Sequence, residues 1–120
     1  MEARRETLHA ISWQVRSNAW SPPTDIYETE QGFIVKVEIA GMREEDFEVV
    51  IEGNILRIQG SRSDLSERRA YHQMEIRFGK FEVAVEFPAS FESGESTADY
   101  KDGFLVVNLP KKTPSTVKVK

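Results

Sequence analysis

Two histidines and a scatter of carboxylates are the side chains of this sequence best suited to chemistry, and their spacing fits no reactive motif. His9 and His72 lie far apart in the chain, and there is no cysteine, so thiol chemistry and thiolate metal sites are excluded. The aspartates lack the Asp-x-Asp-x-Asp-Gly spacing of a calcium loop. No Gly-x-Ser-x-Gly elbow, phosphate-binding glycine loop or His-Glu-x-x-His pair occurs. We therefore predict a protein that is not an enzyme and needs no cofactor or metal.

The composition predicts one globular domain. The chain has 120 residues, of which 30% are charged and 39% are apolar, and its formal net charge is −4. This length allows a single compact core, and the charge balance carries no nucleic-acid signal. Residues 1–15 lack the apolar run of a signal peptide, and no segment reaches the ~20 apolar residues that span a bilayer. We expect a cytoplasmic protein with no nucleic-acid partner and no integral membrane association.

Alternation of apolar and polar residues predicts strands along most of the chain. The alternating stretches are residues 33–39, 47–51, 56–58, 74–87 and 104–109. Gly53-Asn54 and Asp102-Gly103 are typical of tight turns, whereas Pro88 and Pro110 end the stretches before them. A single helical turn is expected near residues 42–46. The pattern predicts an all-β fold, an immunoglobulin-like sandwich of two antiparallel sheets.

The segments without this alternation divide the chain into an N-terminal arm at residues 1–21, a sandwich at residues 22–110 and a C-terminal extension at residues 111–120. The arm carries apolar residues at roughly helical spacing and two tryptophans, which fit either a helix packed on its own domain or a partner-binding arm. Residues 61–73 are polar and interrupt two predicted strands. A loop of this length usually has a function or is disordered.

The C-terminal extension ends in an isolated apolar pair, Val117 and Val119. In an extended strand these two side chains point the same way, while Lys118 points to the opposite side. Such a segment suits a small plug that docks weakly on another molecule. The alternative is a frayed chain terminus, which is common for three terminal residues.

Several motifs resemble those of the small heat-shock proteins of bacterial and plant type, the α-crystallin domain family. Residues 20–28 read WSPPTDIYE, residues 32–41 read GFIVKVEIAG, and residues 98–105 read ADYKDGFL, similar to the family signature Ala-x-x-x-x-Gly-x-Leu. The resemblance runs from about residue 20 to residue 119. It implies an ATP-independent chaperone, or holdase, which binds unfolding client proteins and assembles from homodimers into larger homo-oligomers.

The resemblance also implies roles for individual residues. Residues 61–73 would carry a strand that pairs with the first strand of a partner in the dimer; the exchanged residues are Asp25, Ile26, Tyr27 and Glu28 on one side and Arg69, Ala70 and Tyr71 on the other. The plug of Val117 and Val119 would enter a groove on a neighbouring dimer, formed by Val49, Ile51, Ala98 and Tyr100. The arm would hold clients through Leu8, Ile11, Trp13, Val15 and Trp20.

Two other function classes stay open on the residues alone. An adaptor or co-chaperone of similar sandwich fold would recognise one folded partner, but such proteins typically lack the C-terminal plug and the long loop found here. A hydrolase or metal-dependent enzyme would require the scattered carboxylates to converge in space.

Overall fold

The computed structural model describes residues 19–112 and 117–120. These residues form seven strands and two short 3₁₀ helices. The elements in chain order are β1 (Thr24–Glu28), β2 (Gly32–Glu38), a 3₁₀ helix (Glu44–Asp46), β3 (Phe47–Glu52), β4 (Ile55–Arg62), β5 (Gly79–Glu86), a second 3₁₀ helix (Ser93–Glu95), β6 (Thr97–Lys101) and β7 (Phe104–Pro110).

The strands pair into two antiparallel sheets, which confirms the predicted sandwich. One sheet has the strand order β1-β2-β7-β6 and the other has the order β3-β4-β5. All five strand pairs are antiparallel. Each sheet buries one face, because apolar side chains alternate with polar ones along the strands.

The core lies between the two sheets. Val35 and Val37 on β2 are fully buried, whereas Lys36 between them is exposed, as the alternation predicts. Leu56 and Ile58 of β4 are also fully buried in the same apolar cluster. These side chains leave water on folding, which is the main favourable contribution to the stability of the sandwich.

Aromatic rings form two groups within the core. Phe33, Phe87 and Phe91 pack together with ring centroids 4.9 to 6.0 Å apart. A second row of rings contains Trp20, Phe81, Phe47 and Tyr100, with neighbouring centroids separated by 5.8, 6.0 and 5.0 Å. Tilted and edge-on ring contacts of this kind are favourable. The second row links the residues before β1 to the edge strands β3 and β6.

The turn between β6 and β7 is a two-residue hairpin loop. Asp102 has φ +54° and Gly103 has φ +84°, and Lys101 pairs with Phe104 on either side of them. Positive φ at both central residues is the geometry whose twist matches that of the flanking strands. This turn holds β6 at the edge of its sheet, beside β7.

One predicted strand is wrong at its start. The alternation at residues 74–78 predicted strand structure before a break at Gly79-Lys80, but β5 begins at Gly79, and residues 63–78 contain no strand. Met74 is 61% exposed and Ile76 is 65% exposed. The β4–β5 ladder ends at the pair Arg62 and Gly79, so beyond that pair the alternating residues have no neighbouring strand within the described residues.

Candidate functional site

The residues predicted to form the plug-accepting groove lie on two edge strands. β3 is an edge of one sheet and β6 is an edge of the other. Val49 and Ile51 on β3 and Tyr100 on β6 are partly buried and pack against the core, while Ala98 is exposed. The rings of Phe47 and Tyr100 are 5.0 Å apart. That contact joins the two edges across the sandwich.

Tyr100 is fixed by hydrogen bonds to the chain that follows β2. Its hydroxyl donates to the carbonyl oxygen of Ile39 at 2.8 Å and accepts a hydrogen bond from the backbone N–H of Met42 at 3.3 Å. A buried aromatic ring with a satisfied hydroxyl has one defined orientation. The apolar part of the candidate groove is therefore already ordered in the single chain.

The predicted plug is open to solvent. Val117 is 84% exposed and Val119 is 89% exposed, although valine is among the residue types most often buried. Lys118 and Lys120 are exposed as well. Neither valine belongs to the core cluster of its own chain.

The outer edge of β1 is the second candidate surface. Among the described residues, β1 pairs with β2 alone, at the end of its sheet. Tyr27 is 47% exposed and Asp25 and Glu28 are exposed, whereas Ile26 packs against the core. The Glu28 carboxylate lies 2.7 Å from Nζ of Lys111. The backbone groups along an edge strand are available for pairing with another strand.

Residues 63–78, called the long loop below, carry the other residues of the predicted strand exchange. Arg69 bonds the hydroxyl of Tyr71 at 2.6 Å and pairs with Asp64 at 3.2 Å and Glu67 at 3.2 Å. The hydrogen bond with Tyr71, followed by the charge of Asp64, raises the pKa of Arg69 above its ordinary value. Ala70 and Tyr71 are exposed. These contacts order the middle of the loop only locally.

The predicted client-binding arm is mostly beyond what the structure covers. Leu8, Ile11, Trp13 and Val15 lie outside the described residues. Trp20 is described, and its assignment to an exposed arm is corrected: its side chain is 8% exposed and packs edge-on against Phe81. Its backbone bonds to Lys80 and Glu82 of β5. Burial of this large ring in the sandwich removes its apolar surface from water, which is more favourable in free energy than leaving the ring exposed.

Among residues 19–112 and 117–120, no group of three His, Asp or Glu side chains is placed to hold a metal ion. His72 is exposed on the long loop. Across those same residues, no helix is long and apolar enough to cross a membrane.

Arg62 is the residue of this region that sequence reasoning missed. It was grouped with the polar segment at residues 61–73, but it is the last residue of β4. Its guanidinium reaches the carbonyl oxygens of Ala40 and Arg77 and lies over the ring of Trp20. The only local signal is a charged residue at the end of a strand, because its partners are distant in the sequence.

Taken together, these observations describe a two-sheet β-sandwich with edge strands at β1, β3 and β6 and an exposed pair of valines, Val117 and Val119. Residues 25–120 match the Hsp20/alpha crystallin family. The chain belongs to this family, the small heat-shock proteins.

Relatives of known identity and solved structures agree with this assignment. The chain is 34% identical over 100 residues to small heat shock protein C4 of Rickettsia felis, a match that covers 82% of this chain and 61% of that protein. It is 33% identical over 99 residues to the 17.4 kDa class I heat shock protein of Arabidopsis thaliana, covering 80% and 64%. The chain thus spans about three fifths of the length of these relatives.

The fold is also that of solved small heat-shock proteins. Heat shock protein 16.0 of Schizosaccharomyces pombe superposes with a TM-score of 0.73 at 27% identity, covering 91% of each chain. The hspA protein of Xanthomonas axonopodis superposes with a TM-score of 0.71 at 28% identity, covering 78% of this chain and 95% of that one.

Proposed function

We propose that the protein is an ATP-independent holdase that assembles from homodimers into larger homo-oligomers and covers the apolar surface of unfolding proteins in the cytoplasm. The observation that carries the proposal is the exposed valine pair at the C-terminus of a chain whose own sandwich is well packed. Burial of apolar surface needs no catalytic group and no nucleotide.

The dimer would form by strand exchange. The long loop of one chain would add residues Arg69, Ala70 and Tyr71 to the edge of β1 of its partner, along Asp25, Ile26, Tyr27 and Glu28. Three observations support this pairing: β1 has no strand on its outer side among the described residues, the long loop contains no strand, and Tyr27 and Tyr71 are both about half exposed. Main-chain hydrogen bonds to a sheet edge supply affinity, and alternate side chains supply specificity.

Larger assemblies would form when Val117 and Val119 enter the groove of a neighbouring dimer. In this proposal the small side chain of Ala98, which is exposed, would leave room for a valine beside Val49, Ile51 and Tyr100. Each buried valine contributes at most about 1.5 to 3 kcal/mol, and ordering the tail costs about 1 to 2 kcal/mol for each residue fixed. Single plugs would be weak and reversible, whereas many plugs on one assembly would hold through effective concentration.

Clients would bind to apolar surfaces that the assembly exposes when a plug leaves. The grooves are one such surface, and the arm residues Leu8, Ile11, Trp13 and Val15 are a second. Trp20 is removed from this set because it is buried against Phe81. Weak plugs suit this role, because each groove is released at a small free-energy cost.

The test measures aggregation and assembly in the same preparation. Light scattering follows the heat aggregation of an unrelated enzyme without nucleotide, with wild type and with Val117→Ala/Val119→Ala, and sedimentation gives the size of each assembly. Suppression by wild type and a smaller assembly for the variant are the expected results. A wild-type protein that is monomeric and suppresses nothing would refute the holdase and favour an adaptor that recognises one folded partner.

A further inference from the structure

Arg62 joins the two ends of the long loop through one side chain. As the last residue of β4, it immediately precedes residue 63. Its Nε donates to the carbonyl oxygen of Arg77 at 3.0 Å, and one terminal nitrogen donates to the same oxygen at 2.5 Å. The backbone of Arg62 also pairs with Gly79 in the β4–β5 ladder. The start and the end of the loop are therefore held together at this residue.

The same guanidinium binds two further parts of the chain. Its other terminal nitrogen donates to the carbonyl oxygen of Ala40 at 3.2 Å. Its central carbon lies 4.9 Å from the ring centroid of Trp20 and 5.4 Å from that of Phe78. Trp20 is itself fixed, because its indole N–H donates to the carbonyl oxygen of Gly79 at 3.2 Å.

Only arginine has the shape for this set of contacts. A planar guanidinium presents several N–H groups in one plane while its faces stack on aromatic rings. A lysine ammonium is a compact charge that cannot donate in the same fork geometry. The Cδ of Arg62 also lies 3.8 Å from the point where a Cβ on Gly41 would stand, an ordinary van der Waals distance, so the arginine stem passes directly beside that turn.

These contacts influence the loop more than the stability of the sandwich. Ala40 and Arg77 are exposed residues, so water can replace the arginine at their carbonyl oxygens. Trp20 also contacts Phe81 and the backbone of β5 without involving Arg62, so we expect it to stay packed when Arg62 is replaced. What is lost is the bond that fixes Arg77, and hence the direction in which the loop leaves β4 and returns to β5.

We infer that Arg62 is a positioning residue for dimer formation: it closes the base of the long loop and holds the loop ready to meet a second copy of the chain. This inference rests on the proposed strand exchange. A loop whose base is fixed loses less conformational freedom when its strand adds to β1 of the partner. Through Ala40, Arg62 also contacts the segment at residues 39–42. Tyr100 of the candidate groove bonds Ile39 and Met42 of the same segment.

The test compares Arg62→Lys, which keeps the charge, and Arg62→Gln with Arg68→Gln, which makes the same charge change as Arg62→Gln at an exposed residue within the loop. Sedimentation measures the dimer dissociation constant, and hydrogen exchange measures the opening of residues 63–78. Emission of Trp20 is followed in a Trp13→Phe background. We expect both Arg62 variants to weaken the dimer about tenfold or more, the effect of losing a charge-assisted hydrogen bond, to speed exchange in the loop and to change Trp20 emission. Arg68→Gln should change none of these.

Two outcomes separate this inference from the proposed function. If wild type dimerises and Arg62→Lys dimerises equally well, with wild-type exchange in the loop, then the planar guanidinium is not needed and the inference is refuted. If wild type is monomeric but both Arg62 variants speed exchange in residues 63–78, then the anchoring of the loop by Arg62 is supported and the strand-exchange dimer is refuted.

Discussion

The candidate groove and the long loop differ in how far each is ordered in a single chain. The groove lies between two edge strands that the sandwich core supports, and Tyr100 at its base has both hydrogen bonds satisfied. The long loop has local ion pairs and an anchored base but no strand. In the proposed assembly, the groove is already formed in the single chain, whereas the loop would gain a strand only by pairing with a partner.

This difference predicts how the two contacts respond to substitution. A preformed groove loses affinity in proportion to the apolar contacts removed, because little reorganisation accompanies binding. A segment that becomes ordered on binding couples folding to association, so many of its residues contribute together. Substitutions in the groove should therefore lower binding affinity in graded steps, whereas changes to the loop should either preserve or abolish dimerisation.

Removal of the long loop should have the largest effect. Because the β4–β5 ladder ends at Arg62 and Gly79, residues 63–78 can be replaced by an Asn-Gly turn that joins the two strands directly. We expect a folded monomer whose dimerisation is weaker by about 100-fold or more. The thermal midpoint should stay within about 5 °C, since a shorter loop costs less closure entropy. Sedimentation and thermal unfolding are the measurements.

The control for the loop deletion is Arg68→Ser/His72→Ser, which alters exposed loop residues and keeps the loop length. It should dimerise as wild type does. A loop-free protein that dimerises with wild-type affinity would show that the dimer uses another surface. The expected difference between an all-or-none loop effect and a graded groove effect would then be wrong.

Loss of the terminal valines should have the next largest effect. Val117→Ala/Val119→Ala removes two methyl-sized groups from each valine, at about 0.8 kcal/mol for each buried carbon. Each plug would bind about 100-fold more weakly, and assemblies should fall apart to dimers in sedimentation experiments. Lys118→Ala/Lys120→Ala is the matched control, because it changes the same tail without touching the valines. Equal losses for both variants would mean that charge, not apolar burial, holds the tail.

The sandwich was predictable from the sequence, but its long-range contacts were not. Alternation located β2 because Phe33, Val35 and Val37 face one side within a few residues of each other. The same rule failed at residues 74–78, since alternation identifies a face and does not identify a neighbouring strand. The burial of Trp20 and the role of Arg62 depend on contacts with β5 and with Ala40, which no local pattern in the sequence encodes.

The candidate groove residues came from family resemblance and not from the pattern. Val49 and Ile51 have the alternation of any half-buried strand, so the residues alone could not separate a groove from ordinary core. The ring contact between Phe47 and Tyr100 brings β3 and β6 to the same edge of the sandwich.

A larger side chain in the groove should weaken assembly without any change to the tail. Ala98→Leu adds a larger apolar side chain at the exposed position beside Tyr100, where the plug would sit. We expect about tenfold weaker plug binding from overpacking at the contact, with an unchanged thermal midpoint. Thr97→Leu is the control, because its side chain points to the other face of β6. If both variants assemble as wild type does, then the plug binds elsewhere.

Tyr100→Phe should have the smallest effect, and it acts on stability alone. The substitution removes the hydroxyl that donates to Ile39 and accepts from Met42, and it keeps the ring that packs on Phe47. The bond to Ile39 contributes about 1 kcal/mol, and the contact with Met42, at 3.3 Å, is too long to add much, so the thermal midpoint of a domain of this size should fall by about 4 to 8 °C. Tyr27→Phe, at an exposed hydroxyl, should leave the midpoint unchanged. Because the apolar contacts of the groove persist in Tyr100→Phe, this variant should assemble as wild type does at temperatures below its thermal midpoint. If its assemblies dissociate at those lower temperatures, then the hydroxyl itself contacts the bound tail.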